Sequence, residues 1–476
     1  MHVVDTSIQK AACARAALEL GIADDAPLNE EELSVALKYA LCQADASDNP
    51  QRALDQLDAL WDWSTTGVES GAQQALSQCG HFRQRLIELA QDVRTSQRLA
   101  PELCLAPRPL SEQRLCSLLS GPHNHAVVFA APALFTHELY PLVVDAFSAD
   151  SAAIGRAHFN VLGVHVDWID EAHCARRVIL FDLQQLRFVE APLATPIPIH
   201  SAHFLSLGRD EQALHAHWST RLPVAQINPW APAQLADDKL ATIRAWDALG
   251  LPTPATRAIG SNDERTVDEW INRHGQLVVK PNRASEGRGV AFVRTARDWE
   301  AYVSDPDRAD ELILQVRRDR VFWRDDTQGT LHSLALRVHV ATNRSQPRAD
   351  AHYVQLGAHA DVPASRGRGG RIVPITALRE RLVYACDSTW QPLALDDAFW
   401  RLTFDLAERA ASAFDGLRLV GLDLVIDLDD GRPTPVLIEA NPRPAGLCQA
   451  RRLHDGNTGI SEALWDGLRD VTTPSI

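Results

Sequence analysis

Apolar residues recur along the chain with two different periods, and the change of period divides the chain into regions. Up to about residue 105 they recur every three or four positions, as in "EEELSVALKYALCQA" and "GHFRQRLIELAQDVR", which predicts helices. Beyond it, short apolar runs such as "HAVVFAAPALF" and "FNVLGVHVDWID" are typical of buried strands, and "RRVILFDLQQLRFVEAPL" is typical of a β-hairpin. We therefore expect an N-terminal helical region, residues 1–108, followed by a small α/β domain, residues 109–230.

From about residue 231, helix and strand patterns alternate to the end of the chain. The stretch "DDKLATIRAWDALGLPTPAT" predicts a helix that ends near Gly250 and Pro252, with Asp237 or Asp238 as its N-cap. Strands are predicted at "QLVVKP", "ELILQVRR" and "LHSLALRVHVAT". A further helix, "DDAFWRLTFDLAERAASAFDG", precedes a closing hairpin, "LVGLDLVIDLDDGRPTPVLIEAN". This alternation predicts an α/β fold.

Composition and charge exclude several classes of protein. The chain has 476 residues, of which 45% are hydrophobic and 23% charged, as in ordinary globular proteins. It has no apolar run of 18 residues and no basic-then-apolar start, so we expect neither a membrane span nor a secretory signal. Its eight cysteines are scattered without a CxxC pair, which is typical of free thiols in the cytoplasm. The net charge of −15 disfavours a general nucleic-acid or membrane-surface binder.

Lysine is scarce in this chain. Of 47 basic residues, four are lysines: Lys10, Lys38, Lys239 and Lys280. Lys280 ends the apolar run "LVVK" and precedes a loop with Gly287 and Gly289, where small residues allow backbone N–H groups to approach phosphate oxygens. The loop is not a Walker A sequence, and an ordinary hairpin turn is the alternative. For Lys239, at the start of a helix, the alternative is a solvated helix end.

The closing hairpin places acidic and amide side chains together. If it is centred on Gly431, Asp423 lies opposite Glu439, with Asn441 one pleat further on the same face. Leu422, Leu424 and Ile426 then pair with Ala440, Ile438 and Val436 on an apolar face. Facing carboxylates repel unless a cation or a proton lies between them, and such oxygen ligands suit Mg²⁺. We interpret Asp423, Glu439 and Asn441 as a metal site, the alternative being a polar strand end with an Asn-Pro turn.

Together these motifs resemble the ATP-grasp superfamily, over roughly residues 230 to 450. "DKLATIRAWDALGLPTPAT" is similar to the helix whose lysine, here Lys239, reaches the nucleotide phosphates. "VVKPNRASEGRGVAFV" is similar to the strand lysine, here Lys280, with its flexible glycine loop. "GLDLVID" and "VLIEANPRPAG" match the Asp and Glu-x-Asn parts of its magnesium motif. The resemblance implies two α+β subdomains that clasp ATP, here residues 231–314 and 315–476.

The resemblance also implies roles for residues at the hinge and around the substrate. "LILQVRR" lies where the hinge binds adenine, so Gln315, Val316 and Arg317 are expected near the base and Asp319 near the ribose, although the usual hinge glutamate is missing. Arg337 resembles the arginine that faces the γ-phosphate in amino-acid and peptide ligases of this superfamily, and Arg443 resembles the arginine of its dipeptide-ligase and carboxylase branches. For both, the alternative is a surface ion pair. "SRGRGGRIVP", which contains Arg366, Arg368 and Arg371, resembles a substrate-covering loop and indicates a carboxylate-bearing substrate.

The function implied is an ATP-dependent carboxylate–amine ligase that forms an amide or peptide bond through an acyl phosphate. ATP and Mg²⁺ or Mn²⁺ are the expected cofactors, and a small carboxylic acid and an amine, such as an amino acid or peptide, are the expected partners. Two alternatives stay open: a carboxylate or small-molecule kinase on the same fold, and a non-catalytic ATP-binding regulator. Self-association into a homo-oligomer stays open too.

Overall fold

The computed structural model describes residues 100–453 apart from short gaps, which lie at residues 102, 107–108, 120, 131–135, 147–158, 206–210, 261–262, 285–286, 306–310, 326–328, 344–345, 366–368, 388 and 444–445. The chain divides into two compact units, Met1–Gln226 and Ile227–Ile476. Within the described part, no helix is long and apolar enough to cross a membrane.

The predicted N-terminal helical region lies almost entirely outside the described residues. Its end is an exception, because Leu103–Leu105 forms a short strand rather than a helix. Pro101, Pro107 and Pro109 surround this tripeptide, and proline restricts helix continuation. The strand pairs in parallel with Arg187–Pro198 at the edge of the first sheet.

The described part of the first unit contains a mixed seven-stranded sheet with the order β1-β5-β4-β3-β2-β6-β7. Its strands are β1 Leu103–Leu105, β2 His123–Phe129, β3 Phe159–His165, β4 Cys174–Asp182, β5 Arg187–Pro198, β6 Ser201–Phe204 and β7 Ala225–Ile227, the last of which ends in the second unit. Its helices are α1 Glu112–Leu118, α2 Thr136–Ala146 and α3 Glu211–Arg221, with a 3-10 turn at Val166–Trp168. The predicted hairpin is confirmed, since β4 and β5 are antiparallel.

The described part of the second unit contains three sheets. Their strand orders are β10-β9-β11-β8, β13-β12-β17-β18 and β16-β15-β14-β19-β20. The strands are β8 Thr256–Ile259, β9 Leu277–Pro281, β10 Ala291–Val293, β11 Leu312–Val316, β12 Val321–Arg324, β13 Leu331–His332, β14 Leu334–Asn343, β15 Gln346–Leu356, β16 Arg371–Val373, β17 Leu382–Cys386, β18 Thr389–Leu393, β19 Leu419–Asp429 and β20 Arg432–Asn441. The helices are α4 Trp230–Asp237, α5 Lys239–Ala248, α6 Glu264–His274, α7 Ala296–Val303, α8 Asp397–Ala411 and α9 Leu447–Leu453, with a 3-10 turn at Ile375–Leu378.

Two hydrophobic cores support the second unit. The smaller one lies between the β8–β11 sheet and helices α6 and α7, around the fully buried Trp299. The larger one joins the five-stranded sheet to α4, α5 and α8, and its largest buried side chain is Trp246. Because Trp246 lies on α5, burial of this side chain fixes the helix whose first residue is Lys239 against the larger sheet.

Helix α5 begins as the sequence predicts. Asp238, not Asp237, is its N-cap, and its side chain accepts a hydrogen bond from Ala241 N at 2.9 Å. The helix ends before Gly250, whose φ of +65° is in the left-handed region that glycine adopts readily. The four-part domain division, with boundaries at 108/109, 230/231 and 314/315, stays a prediction.

The closing hairpin differs from the predicted one in its register. Its turn consists of Asp430 and Gly431, both at positive φ, so Asp429 lies opposite Arg432. This two-residue turn moves the centre of the hairpin by half a residue, and Leu424 therefore pairs with Leu437 rather than with Ile438. The predicted pairing of this apolar part was wrong for that reason.

A β-bulge then restores the predicted register at the far end of the hairpin. The register shifts between Asp423 and Leu424, where Ile438 has no partner in β19. Beyond the bulge Asp423 lies opposite Glu439, and Gly421 opposite Asn441. The predicted pairing of the two carboxylates is confirmed.

Two buried histidines in the first unit make its stability depend on pH. His125 and His203 lie on the neighbouring parallel strands β2 and β6, with ring centroids 6.4 Å apart, and both are almost fully buried. Burial lowers the pKa of His125 to about 3 and that of His203 to about 4, compared with 6.5 ordinarily. The unfolded chain therefore binds more protons than the folded one between pH 6.5 and pH 4.

We predict that the first unit loses stability as the pH falls through this range. Lowering the pH from 7.5 to 5 should reduce the free energy of unfolding by about 2 kcal/mol per buried histidine. Urea unfolding of His203→Leu, followed by circular dichroism at both pH values, should show a smaller pH dependence than the wild type. His217→Leu, at an exposed position on α3, should behave like the wild type. Equal pH dependence in His203→Leu and the wild type would contradict the prediction.

Candidate active site

Three charged side chains form a row across adjacent strands of the five-stranded sheet. Arg337 on β14 lies opposite Asp423 on β19, which lies opposite Glu439 on β20. The Arg337 guanidinium donates to both oxygens of Asp423, Nε to Oδ1 at 2.5 Å and Nη2 to Oδ2 at 2.9 Å. Burial opposes the charge of Arg337, but the attraction of Asp423 outweighs it, so the pKa of Arg337 is raised above its ordinary value. The pair holds the Asp423 carboxylate in one orientation.

Two amide groups also contact Asp423. Asn441 Nδ2 lies 3.4 Å from Asp423 Oδ2, and Gln355 Nε2 lies 3.4 Å from Asp423 Oδ1. The described residues contain no group of three or more His, Cys, Asp or Glu side chains that could hold a metal ion. A cation at this position would therefore take its oxygen ligands from Asp423, Glu439 and the Asn441 carboxamide, a donor set that suits Mg²⁺.

The two central lysines converge on the same carboxylates. Lys239 Nζ lies 3.3 Å from Glu439 Oε1 and donates to Ala284 O at 2.5 Å, and this lysine is only 5% exposed. Burial lowers the pKa of Lys280 to about 8, and the Lys239 ammonium acts in the same direction, while Glu439 and Asp423 oppose it. Two buried ammonium groups beside two carboxylates form a site that can bind an anion together with a cation.

The glycines after Lys280 include one that packing requires. A side chain at Gly289 would place its Cβ 2.7 Å from Pro281 Cγ, and Gly289 has a φ of +65°. Gly287 also has a positive φ, and its carbonyl accepts from Val290 N at 3.3 Å. The turn between β9 and β10 therefore uses glycine for its own geometry, and the phosphate role of Gly287 and Gly289 stays a prediction.

At the predicted hinge, the polar groups already have partners within the protein. Gln315 Nε2 donates to Thr256 Oγ1 at 3.0 Å, and the backbone N–H groups of Val316 and Arg317 donate to carbonyls at 3.0 Å and 2.9 Å. The Arg317 guanidinium binds both oxygens of Asp319 and lies 3.8 Å from the centre of the Phe292 ring. These contacts indicate a structural use of Arg317 and Asp319, and their adenine and ribose roles stay predictions.

The remaining arginines lie in different surroundings. Arg443 is buried, and its Nη2 donates to Asp237 Oδ1 at 2.5 Å. Arg371 is exposed, stacks 4.8 Å from the centre of the Trp323 ring and pairs with Asp325 at 3.5 Å. Arg366 and Arg368 lie outside the described residues. Among the predicted arginines, Arg337 contacts the carboxylate row directly.

Sequence reasoning missed three residues that organise the site. Asn282, Asp237 and Gln355 contact Lys239, Arg443 and Asp423 respectively. Each is separated in sequence from its partner by tens to hundreds of residues, and neither the motif that contains Asn282 nor the N-cap position considered for Asp237 indicated these contacts. A pairing register for β14 and β15 would have indicated Gln355, since it lies two residues after Tyr353, the partner of Arg337.

No family model matches the chain. A D-alanine–D-alanine ligase from Saccharophagus degradans is 32% identical over 107 residues, which is 22% of this chain and 33% of that ligase. The match therefore spans about a third of the curated relative's length.

Solved structures with similar folds share little sequence with the chain. D-alanyl-alanine synthetase A from Vibrio cholerae has 10% identity and a TM-score of 0.45, and covers 73% of this chain and 98% of its own. The VanG D-Ala:D-Ser ligase from Enterococcus faecalis has 12% identity and a TM-score of 0.47, with coverages of 74% and 99%. A RimK-domain ATP-grasp protein from Sphaerobacter thermophilus has 18% identity and a TM-score of 0.40, with coverages of 72% and 98%.

The sheets and the site residues of the second unit can be compared with those that the ATP-grasp resemblance implies. A small antiparallel sheet holds Lys280, a larger one holds the Asp423–Glu439 pair, and a helix places Lys239 beside Glu439. This arrangement agrees with the two α+β subdomains that the ATP-grasp resemblance implies. In sequence, the chain is similar to a D-alanine–D-alanine ligase over 107 residues.

We predict that Lys280 destabilises the ligand-free protein. Because its folded pKa lies below 10.5, folding releases a proton between pH 8 and pH 10.5, and below that range the buried ammonium lowers stability. Lys280→Met should therefore raise the free energy of unfolding at pH 7 by up to about 3 kcal/mol while removing any stabilisation by Mg·ATP.

Thermal unfolding with and without nucleotide measures both effects. Arg265→Met is a suitable control, because the Arg265 side chain is 93% exposed on α6, which packs on the sheet that contains β9. This substitution should change neither the stability of the ligand-free protein nor its stabilisation by Mg·ATP. A Lys280→Met protein that is less stable than the wild type would show that the ammonium is stabilised by its neighbours in the ligand-free state.

Proposed function

We propose that this protein is an ATP-dependent carboxylate–amine ligase that uses Mg²⁺ and releases ADP and phosphate. The observation that carries the proposal is the buried Lys239 ammonium 3.3 Å from Glu439, which lies opposite Asp423, together with the buried Lys280, whose pKa responds to Lys239 and to both carboxylates. Buried charges are retained where a partner compensates them, and a magnesium-bound triphosphate compensates both signs at once. An ordinary surface ion-pair network would not require such burial.

The residues take the following proposed roles. Lys239 and Lys280 bind phosphate oxygens, and Asp423, Glu439 and Asn441 hold the cation, which offsets negative charge on the transferring phosphoryl group. Arg337, already fixed by Asp423, faces the acid as it is phosphorylated, and Arg443 binds the anionic substrate. The acyl phosphate then reacts with an amine. These groups act by orientation and charge, so the protein needs no covalent intermediate of its own.

The proposed substrates are small molecules. The ligase that matches 107 residues of this chain is named as a D-alanine–D-alanine ligase, so amino acids are the first class of substrate to test. The β8–β11 sheet and the five-stranded sheet correspond to the two proposed subdomains, residues 231–314 and 315–476, with the nucleotide between them.

A screen of ADP release tests the proposal. Purified protein is incubated with Mg·ATP and a panel of amino acids and small carboxylic acids, each with and without an amine. A ligase should release ADP with an acid and an amine together and form a new amide, detected by mass spectrometry. Release of a phosphorylated acid without an amine would instead identify a kinase. The absence of any melting-temperature shift at millimolar Mg·ATP would contradict nucleotide binding itself.

We further predict that Glu439→Gln abolishes ADP formation. The substitution keeps the size of the side chain but removes a charge that a magnesium ion and Lys239 both require. Activity should fall at least a hundredfold, while circular dichroism shows an intact fold. Glu311→Gln is the matched control, because Glu311 is an exposed carboxylate directly before β11, and this variant should keep wild-type activity. Wild-type turnover in Glu439→Gln would mean that the carboxylate pair is purely structural.

A further inference from the structure

Asn282 is not one of the predicted site residues, although its chain position is close to Lys280 and its contacts are with the helix that begins at Lys239. It follows Lys280 by two residues, at the end of β9, and is 8% exposed. Its backbone N–H donates to Glu311 O at 2.9 Å, which ties it to the chain entering β11. A buried asparagine needs partners for its carboxamide, so its contacts show what the position does.

Both of its oxygens accept from the start of α5. Asn282 O accepts from Lys239 N at 3.2 Å, and Asn282 Oδ1 accepts from Leu240 N at 3.0 Å. Burial raises the pKa of Asp238, the N-cap of the helix, but hydrogen bonding by Ala241 N and Arg283 and the nearby Asn282 side chain lower it overall. One residue of the strand thus holds the first turn of the helix.

This arrangement leaves the first three N–H groups of α5 occupied. Asn282 accepts from Lys239 and Leu240, and Asp238 accepts from Ala241 at 2.9 Å. Helix N-termini often bind phosphate through such groups. Here they are used within the protein, so this helix can contribute to phosphate binding only through the Lys239 side chain.

The same contacts oppose a repulsion. Lys239 and Lys280 are both buried, and each carries a positive charge that disfavours the approach of the other. They belong to two elements that Asn282 joins directly. Trp246 fixes α5 further along, and the contacts of Asn282 hold its first turn, and with it the Lys239 backbone, beside the strand that carries Lys280.

We propose that Asn282 is a positioning residue that sets the spacing of Lys239 and Lys280 for the nucleotide phosphates. This inference rests on the proposed function, since it assigns the two lysines to one ligand. Asn282 acts through Lys239. When the Asn282 carboxamide is removed, the start of α5 shifts, and the Lys239 ammonium no longer contacts the phosphate group that Lys280 binds.

A double-mutant cycle with Lys239 tests the proposal, because residues that act through one another are not additive. The probe is the Mg²⁺ complex of the non-hydrolysable β,γ-imido analogue of ATP. Equilibrium dialysis with labelled analogue extends to the millimolar Kd values that Lys239→Met requires. Asn282→Ala should raise Kd at least tenfold in the wild-type background and less than twofold in the Lys239→Met background.

The control and the outcomes separate this inference from the proposed function. Arg283→Gln removes the neighbouring ion pair with Asp238, in which the arginine side chain is 43% exposed, and should change Kd less than twofold. Should Asn282→Ala not fold, Asn282→Leu keeps the approximate size of the side chain but removes the oxygen that accepts from Leu240 N, and the same coupling is required of it. An equal change in both backgrounds overturns the role of Asn282 alone. A wild-type protein that does not bind the analogue overturns the proposed function, and this inference with it.

Discussion

Mutual compensation of buried charges organises the second unit. Lys239, Lys280 and Arg337 are brought to Asp423 and Glu439 from three different elements, and none of these groups can be buried alone at low free energy. Each ion pair therefore constrains the packing of the elements that carry it. The row of charges crosses β14, β19 and β20, and Lys239 attaches the start of α5 to it through Glu439.

The buried charges do not compensate one another completely, and Arg337, Lys239 and Lys280 differ in how well each is paired. The Arg337–Asp423 pair is bidentate and close, whereas Lys239 shares its ammonium between Glu439 and a backbone carbonyl. The lowered pKa of Lys280 shows that its surroundings disfavour its charge. Under the proposed function, the nucleotide phosphates supply the anion that offsets the charge of Lys280. Nucleotide binding thereby stabilises the ammonium, which folding alone buries at a cost in free energy.

The hairpin shows how local and tertiary constraints combine. Asp430-Gly431 is a strong signal for a two-residue turn, and applying that rule strictly would have set the right register beside the turn. The same rule would then have misplaced Asp423 by one residue, because the bulge at Ile438 cannot be read from the local pattern. The prediction placed Asp423 opposite Glu439 because it centred the hairpin on Gly431, half a residue from the true centre, and the bulge compensates for that displacement at the far end.

By itself the sequence determined the existence of the strands and helices that carry the site, the N-terminal boundary of α5, and the identity of its charged residues. These depend on periodicity, capping and short motifs, all of which act over a few residues. Only the tertiary structure decided which groups meet. It pairs Arg337 with Asp423, Arg443 with Asp237 and Arg317 with Asp319, and it places Asn282 at the start of α5. Apart from the pair at Arg317, the partners of these contacts lie more than 40 positions apart in the chain, and their meeting depends on how separate sheets and helices pack, which no local pattern encodes.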